Sequence, residues 1–177
     1  MGMPYEISVT IHRSGNPDGG MRKAMRSLRS VFFRKKERRP PSKAVSHGRN
    51  AISLYGKGRY EEAIAECDKS ISVGKGNSVT YGMRAYSYIA LKRHDLAIPD
   101  LEKATGLCSL EKEDERVAIV DSYYWLGVCH LRLGSYEKAA ECANRMVEVA
   151  KGNRVVCGAR DKIMLAIEKE KAAKRNG

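Results

Sequence analysis

At 177 residues, with 42% hydrophobic and 31% charged residues, the chain has room for one domain plus extensions and for a sizeable core. No apolar run reaches about 18 residues, which excludes a transmembrane helix, and no secretory apolar segment opens the chain. The net charge of +12 is unevenly spread: residues 1–43 hold 11 Lys and Arg against 3 acids, a balance of +8, which leaves +4 for the rest. Such asymmetry points to an N-terminal arm that meets something acidic, whether nucleic acid, anionic lipid or an acidic protein face. The five cysteines, Cys67, Cys108, Cys129, Cys142 and Cys157, are odd in number and form no Cys-x-x-Cys pair. They read as small thiols of a reducing, cytoplasmic protein.

In chain order, Tyr5 to His12 alternates apolar and polar residues, the pattern of a short strand with Tyr5, Ile7, Val9 and Ile11 on one face. With no sheet to join, it either pairs with a partner's edge or stays without regular structure. A break at Ser14 to Gly20 follows. Residues 21–39 then predict a basic amphipathic helix, with Met21, Ala24, Met25, Leu28, Val31 and Phe32 on one face. The basic side chains of this arm are Arg22, Lys23, Arg26, Arg29, Arg34, Lys35, Lys36, Arg38 and Arg39. Three readings compete for it: a helix docked on a partner, a membrane-surface or calmodulin-like target helix, and a nucleic-acid arm. From Met21 to Lys36 there is no acid, as in a mitochondrial transit peptide, so a mitochondrial location is the second candidate. Pro40-Pro41 ends the helix and marks a boundary.

Beyond it, one corner recurs. Gly58-Arg59-Tyr60-Glu61-Glu62-Ala63-Ile64 is followed by Arg93-His94-Asp95-Leu96-Ala97-Ile98 and by Gly134-Ser135-Tyr136-Glu137-Lys138-Ala139-Ala140. Ala97 follows Ala63 by 34 residues, and Ala139 follows Ala97 by 42. At each copy the chain turns, a ring packs at the corner, and Ala lets two helices approach closely. This pattern resembles the tetratricopeptide repeat. The resemblance implies an all-α solenoid of helix–turn–helix units with a basic N-terminal extension. The arm would take residues 1–43 and the repeat domain 44–173, with repeats at about 44–75, 78–109 and 120–151. A capping helix follows at about 154–173, then a short tail, 174–177. The eight extra residues near Ser109 to Val117 lengthen one or both flanking helices. Pro99 falls in the first turn of its helix, where a missing N–H costs least. Val156, Ala159, Ile163, Ala166 and Ile167 give the last helix one apolar face, as the end of a solenoid requires.

The family stacks its first helices along a concave groove that receives a peptide or helix. Carried over by repeat position, the groove here holds Arg49, Ile52 and Tyr55, then Met83, Tyr86 and Ile89, then Tyr124, Trp125, Val128 and Arg132. A branch of the family clamps acidic chaperone C-termini with Lys, Asn and Arg. The matching positions here are Gly48, Ile52, Met83, Asp121 and Trp125, so a carboxylate clamp is not expected and an apolar peptide or helix is. The chain's own residues 21–33 are tethered nearby as one such occupant.

The histidines, His12, His47, His94 and His130, form no ligand pattern, and no nucleophile, phosphate-loop or dinucleotide motif is present. No catalytic residue, metal or cofactor is therefore expected. The residues describe a non-catalytic interaction module or assembly subunit, its groove taking a protein segment and its arm an acidic surface. The alternative is a structural subunit of a ribonucleoprotein, such as an organellar ribosome, whose arm contacts RNA phosphates.

Overall fold

The computed structural model describes residues 42–74 and 76–175. The strand expected at residues 5–12 and the basic helix expected at 21–39 lie outside them. Seven helices follow one another: α1 (Lys43–Gly56), α2 (Tyr60–Gly74), α3 (Ser78–Ala90), α4 (His94–Gly106), α5 (Glu113–Arg132), α6 (Tyr136–Val149) and α7 (Arg154–Arg175). No strand occurs among the described residues. Each helix packs on the next as an antiparallel neighbour, and α1 also touches α3. The architecture is thus three helical hairpins stacked side by side and closed by α7.

Local chemistry sets the helix limits. The Ser42 hydroxyl accepts from the Val45 amide at the start of α1, and the Asn77 side-chain oxygen accepts from the Thr80 amide, 2.9 Å, at the start of α3. No such cap begins α5. Its first turn instead carries Glu113, Asp114 and Glu115, favourable at the positive end of the helix dipole. The Glu115 carboxylate also accepts from the Ser109 amide, 2.7 Å, which ties the preceding loop to the helix.

The recurring corner has a backbone cause. Gly58, Lys92 and Gly134 occupy the same repeat position, and all three have positive φ, 76°, 60° and 74°. Each corner closes with the same hydrogen bond: Arg59 N–H to Leu54 C=O, Arg93 N–H to Tyr88 C=O, and Ser135 N–H to His130 C=O. The left-handed residue reverses the chain, and the small residues next to it let the hairpin close. Ala63, Ala97 and Ala139 are fully buried on the second helices, as are Ala51 and Ala85 on the first. Gly127 holds the corresponding place in α5, where a Cβ would stand 3.3 Å from Ile163 Cδ1 and 3.4 Å from the Ala139 carbonyl oxygen.

The extra residues between the second and third corners lengthen the connecting loop and the helix that follows it. α4 stops at Gly106, and α5 begins at Glu113 and runs for 20 residues. Pro99 differs from expectation. It is the sixth residue of α4, beyond the first turn, so it removes the bond that would reach the Asp95 carbonyl. Its place is exposed, which leaves that carbonyl accessible to water.

One apolar cluster runs through the first two hairpins into α5, and two smaller clusters join α5 and α6 to α7. Leu101, Met146, Val120 and Val156 are among the largest fully buried side chains, each stabilising the stack by roughly 1.5–3 kcal/mol. α7 buries Val156, Ala159, Ile163 and Ile167 and turns Lys162, Glu168 and Lys169 to water. Lys171 and Lys174 lie over the Tyr136 ring, 5.5 and 5.1 Å from its centroid, and close the edge of the cap.

Candidate peptide groove

The first helices of the three hairpins, α1, α3 and α5, carry rings; α1 touches α3, and α3 meets α5 through a ring pair. Tyr86 of α3 meets Trp125 of α5 edge-on with centroids 6.2 Å apart. Trp125 in turn meets Tyr124 at 5.2 Å, and Tyr55 of α1 meets Tyr60 at 5.2 Å. The helical spacing of these residues puts one face of each first helix into this row.

Burial sorts the ten expected groove residues into two groups. Ile52, Tyr55, Met83, Tyr86, Ile89 and Trp125 are 1–8% exposed and belong to the main apolar cluster. Tyr124 and Val128 are half-buried, and Arg49 and Arg132 are exposed. The larger rings are therefore part of the core before they are ligand contacts. Truncating Trp125 or Tyr86 to Ala would cost about 3–5 kcal/mol of stability each, so a loss of partner capture in such variants would not report on the groove. The nine basic arm residues, Arg22 to Arg39, lie outside the described residues.

Among these rings sits Asp121, half-buried on α5. Burial pushes its carboxyl up to about 7. Its charge reaches both Tyr86 and Tyr124. The hydroxyl of Tyr86 is raised well above its ordinary value, first by burial and then by the nearby Asp121 charge, and Tyr124 shows the same two causes. The ring row therefore holds a half-buried acid. Spacing alone had marked Asp121 only as a place where a clamp cation is missing; nothing local in the sequence reveals its desolvation.

The other candidate sites are structural. Arg84 of α3 reaches Asp100 of α4 with two bonds, 2.7 Å from Nε and 2.6 Å from Nη2, and Asp68 of α2 with a third, 2.5 Å. His47 Nδ1 lies 2.8 Å from Glu66 Oε2. Lys69 and His47 hold the Glu66 carboxyl down to about 2. His94 lies 3.8 Å from the Cys129 sulfur, and burial lowers its pKa. His130 is buried, also lowered by burial, and borders a shallow hollow of about 490 Å³ with Glu102, Tyr123 and Cys142. Burial raises the thiols of Cys67 and Cys129 to about 12, so neither is a nucleophile at neutral pH. Among the described residues no group of three or more His, Cys, Asp or Glu could hold a metal ion. No helix among them is long and apolar enough to cross a membrane.

Residues 76–152 match the family model of the tetratricopeptide repeat. The match spans 77 of the 177 residues, and the described residues have the tetratricopeptide repeat fold. Hsc70-interacting protein 1 of Drosophila melanogaster is 30% identical over 90 residues, which cover 51% of this chain and 22% of that protein. The chain thus spans about a fifth of the length of that relative. Among solved structures, the second TPR domain of human RPAP3 in complex with the HSP70 peptide SGPTIEEVD has a TM-score of 0.59 at 20% identity, covering 69% of this chain and 95% of that one. The first TPR of Spaghetti (RPAP3), bound to the HSP90 peptide SRMEEVD, has a TM-score of 0.60 at 23% identity, covering 73% and 96%. At these identities the likeness is one of fold. The chain keeps the fold positions of that repeat, the corner, the small crossing residues and the cap. Gly48, Ile52, Met83 and Trp125 are buried, and Asp121 is half-buried.

Proposed function

We propose that this repeat protein is a non-catalytic adaptor whose groove takes an apolar, cation-bearing peptide or helix, with the cation lodged on Asp121. The observation that carries the reading is the half-buried carboxylate beside Tyr86 and Tyr124 in the aromatic row. A half-buried carboxyl held near neutral pH gains most when a ligand brings its countercharge, because the charged form then loses its desolvation penalty. An acidic C-terminus brings a like charge, which repels the carboxylate. The neighbours' HSP70 and HSP90 peptides support peptide binding as the role of this fold. The chemistry of positions 48, 52, 83, 121 and 125 in this chain supports a different ligand, since it supplies one carboxylate and no cation. The ribonucleoprotein alternative draws on the arm, residues 12–43, for RNA contact, and nothing among the described residues favours it.

Trp125 is the one tryptophan of the chain and stands in the row, so its fluorescence reports the groove directly. Titrating the full chain with a basic amphipathic helical peptide should shift its emission, and the acidic peptide SRMEEVD should leave it unchanged. Asp121→Lys should reverse that order. If the acidic peptide binds the native chain more tightly, and Asp121→Lys changes neither affinity, the reading is wrong.

A further inference from the structure

α4, α5 and α6 border a hollow of about 490 Å³, and none of the expected groove residues lines it. Its size lies within the roughly 300–1,000 Å³ usual for small-ligand sites. Tyr123, Leu126 and His130 line it from one face of α5. Glu102 of α4 and Glu141 of α6 line it from either flank, with Lys138 and Cys142 beside Glu141 on α6. We propose that the hollow binds a guanidinium group on a short apolar stem, held between Glu102 and Glu141 and donating a hydrogen bond to the His130 ring.

His130 is the decisive residue. It is 8% exposed. Among the described residues no side-chain nitrogen or oxygen is both sealed from solvent and without a hydrogen-bond partner. The His130 ring makes no hydrogen bond among them, so its nitrogens open into the hollow it lines. Burial first, and then the Lys138 charge, lower its pKa, so the ring is neutral at neutral pH and keeps one acceptor nitrogen. Packing accounts for a buried apolar ring; it does not account for a buried imidazole whose acceptor is unused.

The charges around it select the ligand. Glu102, Glu141 and Lys138 are all exposed, and among the described residues none of them is in an ion pair. Burial raises the Cys142 thiol to about 11, and the charges of Glu141 and Glu102 add to that rise. The same two carboxylates bear on the His130 ring, so they converge from α4 and α6 on one place. Two carboxylates outweigh the Lys138 ammonium, and the hollow favours a cation. A metal ion is not the match, since no group of three or more His, Cys, Asp or Glu among the described residues could hold one. A guanidinium is: its planar fork of N–H donors can serve two carboxylates and an imidazole nitrogen together, and its face can lie on the Tyr123 ring. The apolar stem then covers Leu126.

The test follows the His130 Cε1–H resonance by NMR in the full, isotope-labelled chain at neutral pH. The probes are the capped peptide Gly-Gly-Arg-Gly-Gly, the same peptide with citrulline in place of arginine, and Nα-acetylarginine amide. The arginine peptide should shift the resonance with a dissociation constant of about 1 mM or tighter. Citrulline keeps the shape without the charge and should bind at least about tenfold more weakly. Glu102→Gln combined with Glu141→Gln should weaken the arginine peptide at least about fivefold, and Lys138→Ala should tighten it about twofold. All three positions are exposed, so the fold should persist, which far-UV circular dichroism checks. Equal affinity for Nα-acetylarginine amide and the peptide would identify a free guanidino compound as the ligand; a peptide at least about tenfold tighter would identify an arginine side chain of a protein segment. Equal binding of the citrulline peptide, or weaker binding of the arginine peptide after Lys138→Ala, overturns the proposal.

Discussion

Arg84→Met should be among the most damaging single changes in this stack that remove no apolar side chain. The Arg84 guanidinium joins three helices, with a bidentate contact to Asp100 on α4 and a single contact to Asp68 on α2. Asp100 and Asp68 together raise its pKa. The two acids are not equivalent. The Asp100 side chain is 7% exposed and the Asp68 side chain 53%. Removing the partner of a fully buried ion costs about 3–5 kcal/mol, because the remaining charge keeps its desolvation penalty. The Arg84 side chain is itself 22% exposed, so water partly replaces it, and the expected loss falls to about 2–4 kcal/mol. A domain of this size has a total stability of about 5–15 kcal/mol, and 1 kcal/mol shifts its midpoint by roughly 3–5 °C. The variant should therefore melt about 10 °C lower. Asp68→Asn should lose no more than about 1 kcal/mol. Arg84→Lys should recover only part of the loss, since an ammonium cannot make the paired contact. Arg84→Met combined with Asp100→Leu should recover most of it, because no unpaired charge remains. Urea unfolding followed by Trp125 fluorescence measures all four. Equal losses for Arg84→Met and Asp68→Asn would refute the buried-pair argument.

Asp121 gives the stack an unusual pH dependence. Its folded carboxyl titrates at about 7, against 3.8 in an ordinary setting. The folded state therefore holds a proton that the unfolded chain has lost, and stability falls as pH rises from about 4 to about 7. Three units correspond to about 4 kcal/mol at full burial, and residual access to water leaves about 1–2 kcal/mol. Asp121→Asn should raise the melting midpoint at pH 8 and leave it unchanged near pH 4; a gain independent of pH would exclude this titration. At the corners, Gly58→Ala should cost about 1 kcal/mol although no atom lies within 4 Å of the added methyl, because φ is 76°. Lys92→Gly should be neutral or stabilising by up to about 0.5 kcal/mol, since relief of left-handed strain at φ 60° offsets the added freedom of the unfolded chain. A clear loss at Lys92→Gly in thermal melts would mean that its side chain holds the corner.

The fold was legible because its determinants are local and repeated. The corner residue, the small residue at the crossing and the apolar face of α7 all lie within one turn of a recurring position. Part of the eight-residue insertion could be assigned to a helix because its acids suit a helix N-terminus. The groove was legible only in outline. Repeat position says that Tyr86 and Trp125 stand on first helices, but a first helix meets neighbours on both flanks, and the depth of each ring depends on residues 39 positions apart in sequence. The Arg84 bridge was missed for the same reason. Its acids lie 16 residues to either side, a spacing with no helical meaning, which becomes contact only when α2, α3 and α4 are packed.

In a solenoid of this kind, the residues that make the fold and the residues that choose the ligand occupy different sites on the same helix. Corner glycines, crossing alanines and the buried stripe are fixed by backbone approach, and the fold likeness to the RPAP3 TPR domains holds at about one-fifth identity. The ligand-facing positions carry no such constraint. Here one such position holds Asp121, half-buried among the rings, and on the proposed reading its charge would set the sign of the ligand. A likeness of fold at these identities therefore carries no ligand specificity with it. A basic ligand relieves the desolvated carboxylate, whereas an acidic one adds repulsion in a medium too apolar to screen it. The preference of the native groove between a basic and an acidic peptide, and its reversal by Asp121→Lys, separates inherited shape from acquired chemistry in one measurement.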